Sequence, residues 1–472
     1  FENILALGRI FGRQDQAQEI LETNKAQFEH IRQKLAKVPG KKKRVIRLMG
    51  RDTLMTPGKD SFQNDLIRLA GGIPPDFTGS GSVVEVSKQD WVKFNPQVIY
   101  GCGQDKKAAQ AFFSRPGYKD VDAVKNGRIY YFPCDLTCRA ATHSGYFVSW
   151  LSSMIHSKEF CDPETHVSQR KSRPPRVIDM GLAHVKSARI TQSVIYDFPG
   201  KTLVIDFHTP QTIVSTLEGK RSGILSVGNH YCPPATWGPG HILGIEAVKN
   251  QIIKANGKKK NEFSFLITGA DMDNLVLKKE SFKDMEVTVL ATAGVMSNAV
   301  RMSKDTGMFY EPGTINILIL TNMKLSDRAM TRAIISSTEA KTAVLEDLDI
   351  RSSYTPLVNG ATGTGTDNII VVQGQGQDID NAGGHTKMGE LMARAVYGAV
   401  KEAVFRQNKI TENRHIFQRL KERKVSIFNL VSGITCQCVI NDAVDLSDLS
   451  KRAEHLMLEP PYAAFLESVL AL

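Results

Sequence analysis

No stretch of the 472 residues approaches the roughly 18 to 20 uninterrupted apolar residues that a membrane-spanning helix needs, so no span is expected in this chain. Aromatic residues are scarce, at 7%, and they are not interleaved with basic runs in the way that single-stranded nucleic acid requires. Cysteines number seven, an odd count without a C-x-x-C pair, which leaves the redox compartment unsettled. Cys102, Cys134, Cys138, Cys161, Cys232, Cys436 and Cys438 read as scattered thiols. Cys134 with Cys138 could pair in an oxidising compartment, and Cys436 with Cys438 could touch a soft metal. The sequence starts at Phe1 with neither an initiator Met nor a charged-then-apolar signal segment. The expected location is therefore extracytoplasmic if an export signal precedes Phe1, and cytoplasmic otherwise.

What is present is ordinary globular material, with 42% hydrophobic and 23% charged residues, so most of the chain is expected to fold. The length suggests about three domains. The net charge of +11 invites a nucleic-acid reading, but its distribution argues against one. Residues 1–173 carry 27 basic and 18 acidic side chains, leaving 33 and 31 for the remainder. The basic runs Lys41–Arg44 and Lys258–Lys260 sit beside glycine at expected loops, where solvated charge is the ordinary explanation.

Helical spacing of Ala17, Ile20, Leu21, Phe28, Ile31, Leu35 and Val38, stopped by Pro39-Gly40, predicts one long amphipathic helix over 16–38. Strand and helix patterns then alternate to about residue 155, the signature of an α/β layer with a mostly parallel sheet. Residues 161–176 are polar, contain proline and lack a period, so they read as a linker. Beyond it the pattern is strand-rich, with short strands at 190–196, 202–208, 211–217 and 222–227, later strands to 373, and helices at 326–348 and about 387–406. That order favours α+β. Residues 408–472 form a charged, mainly helical tail of unknown role.

The run Ala123-Val124-Lys125-Asn126-Gly127-Arg128-Ile129-Tyr130, preceded by Val98-Ile99-Tyr100 and followed by a helix ending in His156-x-x-x-Phe160, resembles the closing part of the substrate-binding proteins of cobalamin and ferric-siderophore importers. The resemblance implies that residues 1–160 are the connecting helix and second lobe of that fold. One lobe offers half of a cleft site, so the segment is either a half-site or a docking domain without ligand. Five further motifs occur in order: Ala291-Thr292-Ala293-Gly294 with Ser297-Asn298-Ala299, Gly313-Thr314-Ile315-Asn316, Ser337-Thr338-Glu339-Ala340-Lys341, Gly363-Thr364-Gly365-Thr366-Asp367, and Thr386-x-x-Gly389. Through them residues from about 190 to 407, within a domain expected over 177–407, resemble the adenosylcobinamide amidohydrolase family. That implies cleavage of the amide between the aminopropanol arm and the corrin ring, yielding cobyric acid for cobamide salvage, with cobalt entering in the substrate and no cofactor required. The partners implied are a corrinoid small molecule and an ABC-importer permease. The alternative is a non-catalytic corrinoid or siderophore carrier of such an importer.

Amide hydrolysis needs a nucleophile, donors for the oxyanion and a proton source for the amine. Glu339 and Lys341, two apart on a helix, point to different sides. Glu339 is the expected general base or positioning carboxylate, against the plain alternative of a surface ion pair. The turn Gly363, Thr364, Gly365, Thr366, Asp367 suits an oxyanion hole, amide positioning or a threonine nucleophile, and its glycines allow close backbone approach. It lacks the lysine of a P-loop. Asn298, Asn316 and Lys341 are expected at the substrate, unless the asparagines only form turns. His230 and His385, each just after a glycine-containing turn, are candidate acids for the leaving amine or axial ligands to cobalt. Asp206-x-His208 begins like a D-x-H-x-x-G cobalamin motif, but position 211 is Gln. No H-E-x-x-H or comparable spacing occurs, and no metal ligands are assigned.

Overall fold

The computed structural model describes residues 1–49, 53–77, 79, 81–103, 106–139, 142–167, 174–306, 313–433 and 445–471. It divides into two compact units, the first comprising Phe1–Ser172, Ser193–Gly200 and Pro233–Ala255, and the second Arg173–Gln192, Lys201–Cys232 and Asn256–Leu472. The chain thus crosses between units more than once after the expected linker, and the helical tail belongs with the second unit. Among the described residues no helix is long and apolar enough to cross a membrane.

In the first unit the long helix forms as its periodicity requires, α1 (Gln14–Lys37). Four parallel strands follow, β1 (Lys43–Arg47), β2 (Gly72–Ile73), β3 (Val98–Cys102) and β4 (Ile129–Phe132), in the order β2-β1-β3-β4. Successive side chains alternate between two cores. Val45 and Tyr100 pack with Ile31, Phe132, Phe147 and Leu151, whereas Ile46 and Ile99 pack with Trp91, Phe112 and Ala123. Helix α2 (Ser144–Ile155) closes the first of these faces, with Trp150 edge-on to Phe132 at 4.8 Å.

The second unit is built on a nine-stranded mixed sheet. Its main strands are β5 (Val185–Ile195), β6 (Phe198–Ser215), β7 (Gly219–Tyr231), β8 (Phe263–Thr268), β9 (Val276–Phe282), β10 (Met285–Ala293), β11 (Ile315–Thr321) and β12 (Asn368–Val372). The short strands expected at 202–208 and 211–217 are one strand, β6, which continues through Pro210. The β6–β7 register jumps from Ile224↔Gln211 to Ser226↔Asp206, so Pro210 falls in the irregularity and its missing N–H costs no ladder bond there.

Strands β10 to β12 are apolar on both faces, as sheets covered twice must be. Leu290, Leu318, Leu320, Ile370 and Val372 pack with Leu203, Ile205, Val227 and Leu266 of β6 to β8, so the sheet folds over itself. Val289, Ile317, Ile319 and Val371 face the helices α3 (Asp327–Asp347) and α4 (Lys387–Asn408). Both helices start at side-chain caps, Ser326 accepting from Ala329 N–H and Thr386 from Gly389 N–H, each worth about 1 kcal/mol. The tail contributes helices at Ile416–Glu422, Ile427–Ser432, Leu446–Leu458 and Pro460–Ala471.

Candidate functional site

Helix α3 carries Ser337, Ala340, Lys341 and Val344 on its buried side. Lys341 therefore points inward, where its Nζ pairs with Asp367 Oδ2, both side chains largely shielded from solvent. Asp367 stands just before β12, and its carboxylate collects donors from three directions. Thr364 Oγ1 donates to Oδ1 at 2.5 Å, Thr364 N–H to Oδ2 at 3.0 Å, and Ile315 N–H to Oδ1 at 3.0 Å. The turn is pinned by a two-residue antiparallel pair, Ala299–Val300 against Gly363–Thr364. Gly363 leaves room for this pair: a Cβ there would lie 2.7 Å from both Asp367 Oδ2 and Lys341 Nζ, so one or both side-chain ends would have to shift.

Around this centre the expected asparagines act as internal clamps. Asn298, fully buried, donates to Gly313 O at 3.1 Å, accepts from Tyr354 Oη–H at 2.8 Å, and its carbonyl accepts from Gly365 N–H at 3.1 Å. Asn316, at the start of β11, donates to Asn229 Oδ1 at 2.9 Å and to Ile267 O at 3.0 Å, while Asn229 donates to Thr292 Oγ1 at 2.9 Å. Thr314 Oγ1 donates to Thr366 O at 2.6 Å, and Thr366 Oγ1 to Gly313 O at 3.1 Å. The peptide N–H groups of Thr364 and Gly365 are thus already engaged, by Asp367 and by Asn298 O, so the turn does not offer them as free oxyanion donors. Gly365 and Thr366 are exposed, and Thr364 sits just beneath them.

Three expected residues are not brought to this cluster. Glu339 lies on the exposed side of α3, because two residues of helix turn a side chain about 200 degrees and Lys341 takes the inward direction. His385 lies exposed just before α4. That segment adjoins the first half of α3, where Ser336 Oγ donates to Ala382 O, whereas Lys341 belongs to the second half. His230 is fully buried, with Nδ1 2.8 Å from Thr202 Oγ1, on the face of β7 opposite to Asn229. Burial alone pushes its pKa down to about 3, so the ring is neutral and sealed from any external substrate. Asn229 and Tyr354, which complete the clamp, carry no sequence signal of their own beyond lying near these motifs.

The first unit departs from the cysteine expectation. Cys102 pairs with Cys134, and not Cys134 with Cys138, because β3 and β4 are parallel neighbours in register Cys102↔Phe132, which brings the next turn beside Cys102. Cys436 and Cys438 lie outside the described residues.

A family model described as adenosylcobinamide amidohydrolase matches residues 184–412, and one described as periplasmic binding protein matches residues 1–136. An uncharacterized protein of Methanocaldococcus jannaschii is 42% identical over 228 residues, covering 44% of this chain and 88% of the relative. The chain belongs to the adenosylcobinamide amidohydrolase family. A member from Methanosarcina mazei, named adenosylcobinamide amidohydrolase, is 27% identical over 223 residues, covering 44% of this chain and 95% of that one. The first region is periplasmic-binding-protein-like. It is similar to an uncharacterized ABC transporter substrate-binding lipoprotein of Bacillus subtilis, 25% identical over 164 residues. That match covers 34% of this chain and 51% of the relative, so the chain spans about half the length of that binding protein. Family membership supports hydrolase activity in the second unit, and all five motifs that carried the resemblance fall within residues 184–412.

Proposed function

We propose that the second unit hydrolyses the amide joining aminopropanol to the corrin periphery of adenosylcobinamide or a close corrinoid, releasing the corrinoid acid and free aminopropanol. Cobalt enters in the substrate, and no further cofactor is needed. The observation that carries the reading is the convergence of Thr364 and Lys341 on one carboxylate, Asp367, within the matched family region.

In this mechanism Asp367 is the proton acceptor, in place of Glu339. It takes the proton of Thr364 Oγ, or of a water held by that hydroxyl, as the oxygen attacks the amide carbon. Lys341 pairs with Asp367 in a shielded site and supplies positive charge as the carbonyl oxygen becomes an oxyanion. The proton then passes to the departing nitrogen as the C–N bond breaks. If Thr364 attacks, water next cleaves the acyl-enzyme; if water attacks, the acid forms directly. Thr366 and Gly365 meet substrate at the exposed rim, and Asn298 and Asn316 hold the turn in place from behind. Through its binding-protein-like region the chain further offers half of a corrinoid-binding cleft to an importer.

Incubation of the purified chain with adenosylcobinamide, followed by mass spectrometry, is expected to show cobyric acid in its adenosylated form plus aminopropanol. Corrinoid binding by a well-folded sample without product would overturn the hydrolytic reading in favour of a carrier. Acid quenching during the first turnover separates the two routes: a corrinoid adduct on the peptide containing Thr364 is expected for direct attack, and its absence assigns attack to water.

A further inference from the structure

The first unit gathers sulfur at one edge of its sheet. Cys102 ends β3, Cys134 opens the short helix Cys134–Thr137 after β4, and Cys138 caps that helix. The three sulfurs lie within 4.8 Å of one another, running from buried Cys102 to exposed Cys138. Cys102 and Cys134 are joined, with Cα atoms 4.9 Å apart, and Cys138 keeps its thiol. Arg47 at the end of β1, only 1% exposed, donates from one terminal guanidinium nitrogen toward Met49 Sδ at 3.6 Å and from the other terminal nitrogen to Cys138 Sγ at 3.2 Å.

Because β1, β3 and β4 are parallel, their carboxyl ends deliver these groups to the same edge, which is where open α/β sheets hold ligands. A structural disulfide uses two sulfurs and has no need of a third. Three thiolates around one zinc-sized ion at about 2.3 Å stand roughly 3.8 to 4.0 Å from each other; Cys102 and Cys134, bonded here, reach that separation once their bond is opened, and all three sulfurs already lie within 4.8 Å of one another. Such a site carries net negative charge, which the buried guanidinium of Arg47 offsets.

We propose that reduced Cys102, Cys134 and Cys138 form a three-thiolate site for a soft divalent cation of the zinc class, its remaining position facing solvent beside Cys138, and that the Cys102–Cys134 disulfide is the oxidised, metal-free form. Conversion needs a dithiol reductant: two electrons and two protons pass to Cys102 and Cys134, the reductant leaves as its own disulfide, and the cation then displaces the three thiol protons.

The test is a titration of the full chain, reduced and freed of reductant without air, with cadmium(II) as the probe and thiolate-to-metal absorption as the readout. Saturation at one ion per chain, reversal by zinc, and no absorption from the oxidised chain are expected. Cys138→Ser, at an exposed position, should still form the Cys102–Cys134 disulfide by peptide mapping yet bind more than about tenfold more weakly. A Cys436→Ser/Cys438→Ser double variant should bind as the wild type does. The proposal is overturned if the reduced chain gives no thiolate band, if the oxidised chain binds equally, if Cys138→Ser binds undiminished, or if the double variant loses the ion.

Discussion

The two sheets concentrate chemistry at strand ends by different routes. In the first unit, parallel strands send every carboxyl end to one edge, and the side chains collected there are sulfurs with one guanidinium. In the second, antiparallel β10 and β11 bring the end of one strand beside the start of the next, as in Thr292↔Asn316. The turn before β12 then returns to the same place and adds Thr364 and Asp367, with Lys341 reaching in from α3. Topology decides where functional side chains meet, while residue type decides what they can do. Oxygen and ammonium groups suit proton transfer and oxyanion stabilisation, whereas thiolates suit soft cations.

The sharpest way to break this division of labour is to remove the carboxylate at the second edge. Asp367→Asn keeps the shape but not the charge, and kcat/KM for adenosylcobinamide should fall by about a thousandfold. Cys138→Ser at the first edge should leave hydrolysis within about twofold of wild type. Equal losses from both, in steady-state assays on folded protein, would erase the distinction.

Next in size is the helix that offered two candidates. Lys341→Met should cost about a hundredfold in turnover and also destabilise the fold by about 3 kcal/mol in urea unfolding, since Asp367 would keep a shielded charge without its partner. Glu339→Gln, on the exposed side, should stay within about twofold. A crippled Glu339→Gln would restore that residue to the mechanism. Gly363→Ala is expected to lose about tenfold, because the new methyl forces Lys341 and Asp367 apart.

A further test concerns the pH dependence of stability, apart from activity. His230 is held well below its ordinary value by burial, down to about 3. Between that value and the unfolded pKa of about 6.5, the unfolded chain binds a proton that the folded chain refuses, so stability rises with pH. Unfolding free energy should therefore drop by up to about 1.4 kcal/mol per pH unit as the buffer is taken from pH 6 toward pH 4. In His230→Gln this contribution to the slope should vanish while activity stays measurable. An unchanged slope in urea titrations would show that His230 titrates normally.

Much of the architecture was legible from period alone, because strands buried on both faces and helices with one apolar side leave clear patterns, as at Asp327–Asp347 and Gln14–Lys37. The merging of strands into β6 was not legible, since Pro210 looks like a breaker until the register irregularity opposite it is seen. Within the site, the Gly363 to Asp367 turn and Lys341 stood out as motif residues. Choosing Lys341 over Glu339 required knowing which side of α3 is buried. Asn229 was hidden because an asparagine inside an apolar strand signals only that something polar must meet it, here Asn316 and Thr292. The disulfide was hidden for a similar reason: its partners are 32 residues apart, and only the pairing of β3 with β4 joins them.

The most direct test of the central claim is to run the wild-type reaction in water enriched in heavy oxygen and weigh both products. Hydrolysis at the aminopropanol amide predicts one heavy oxygen in the new corrinoid carboxylate and none in the aminopropanol, by either route of attack. Recovery of intact adenosylcobinamide, or heavy oxygen in the amino alcohol, would contradict it.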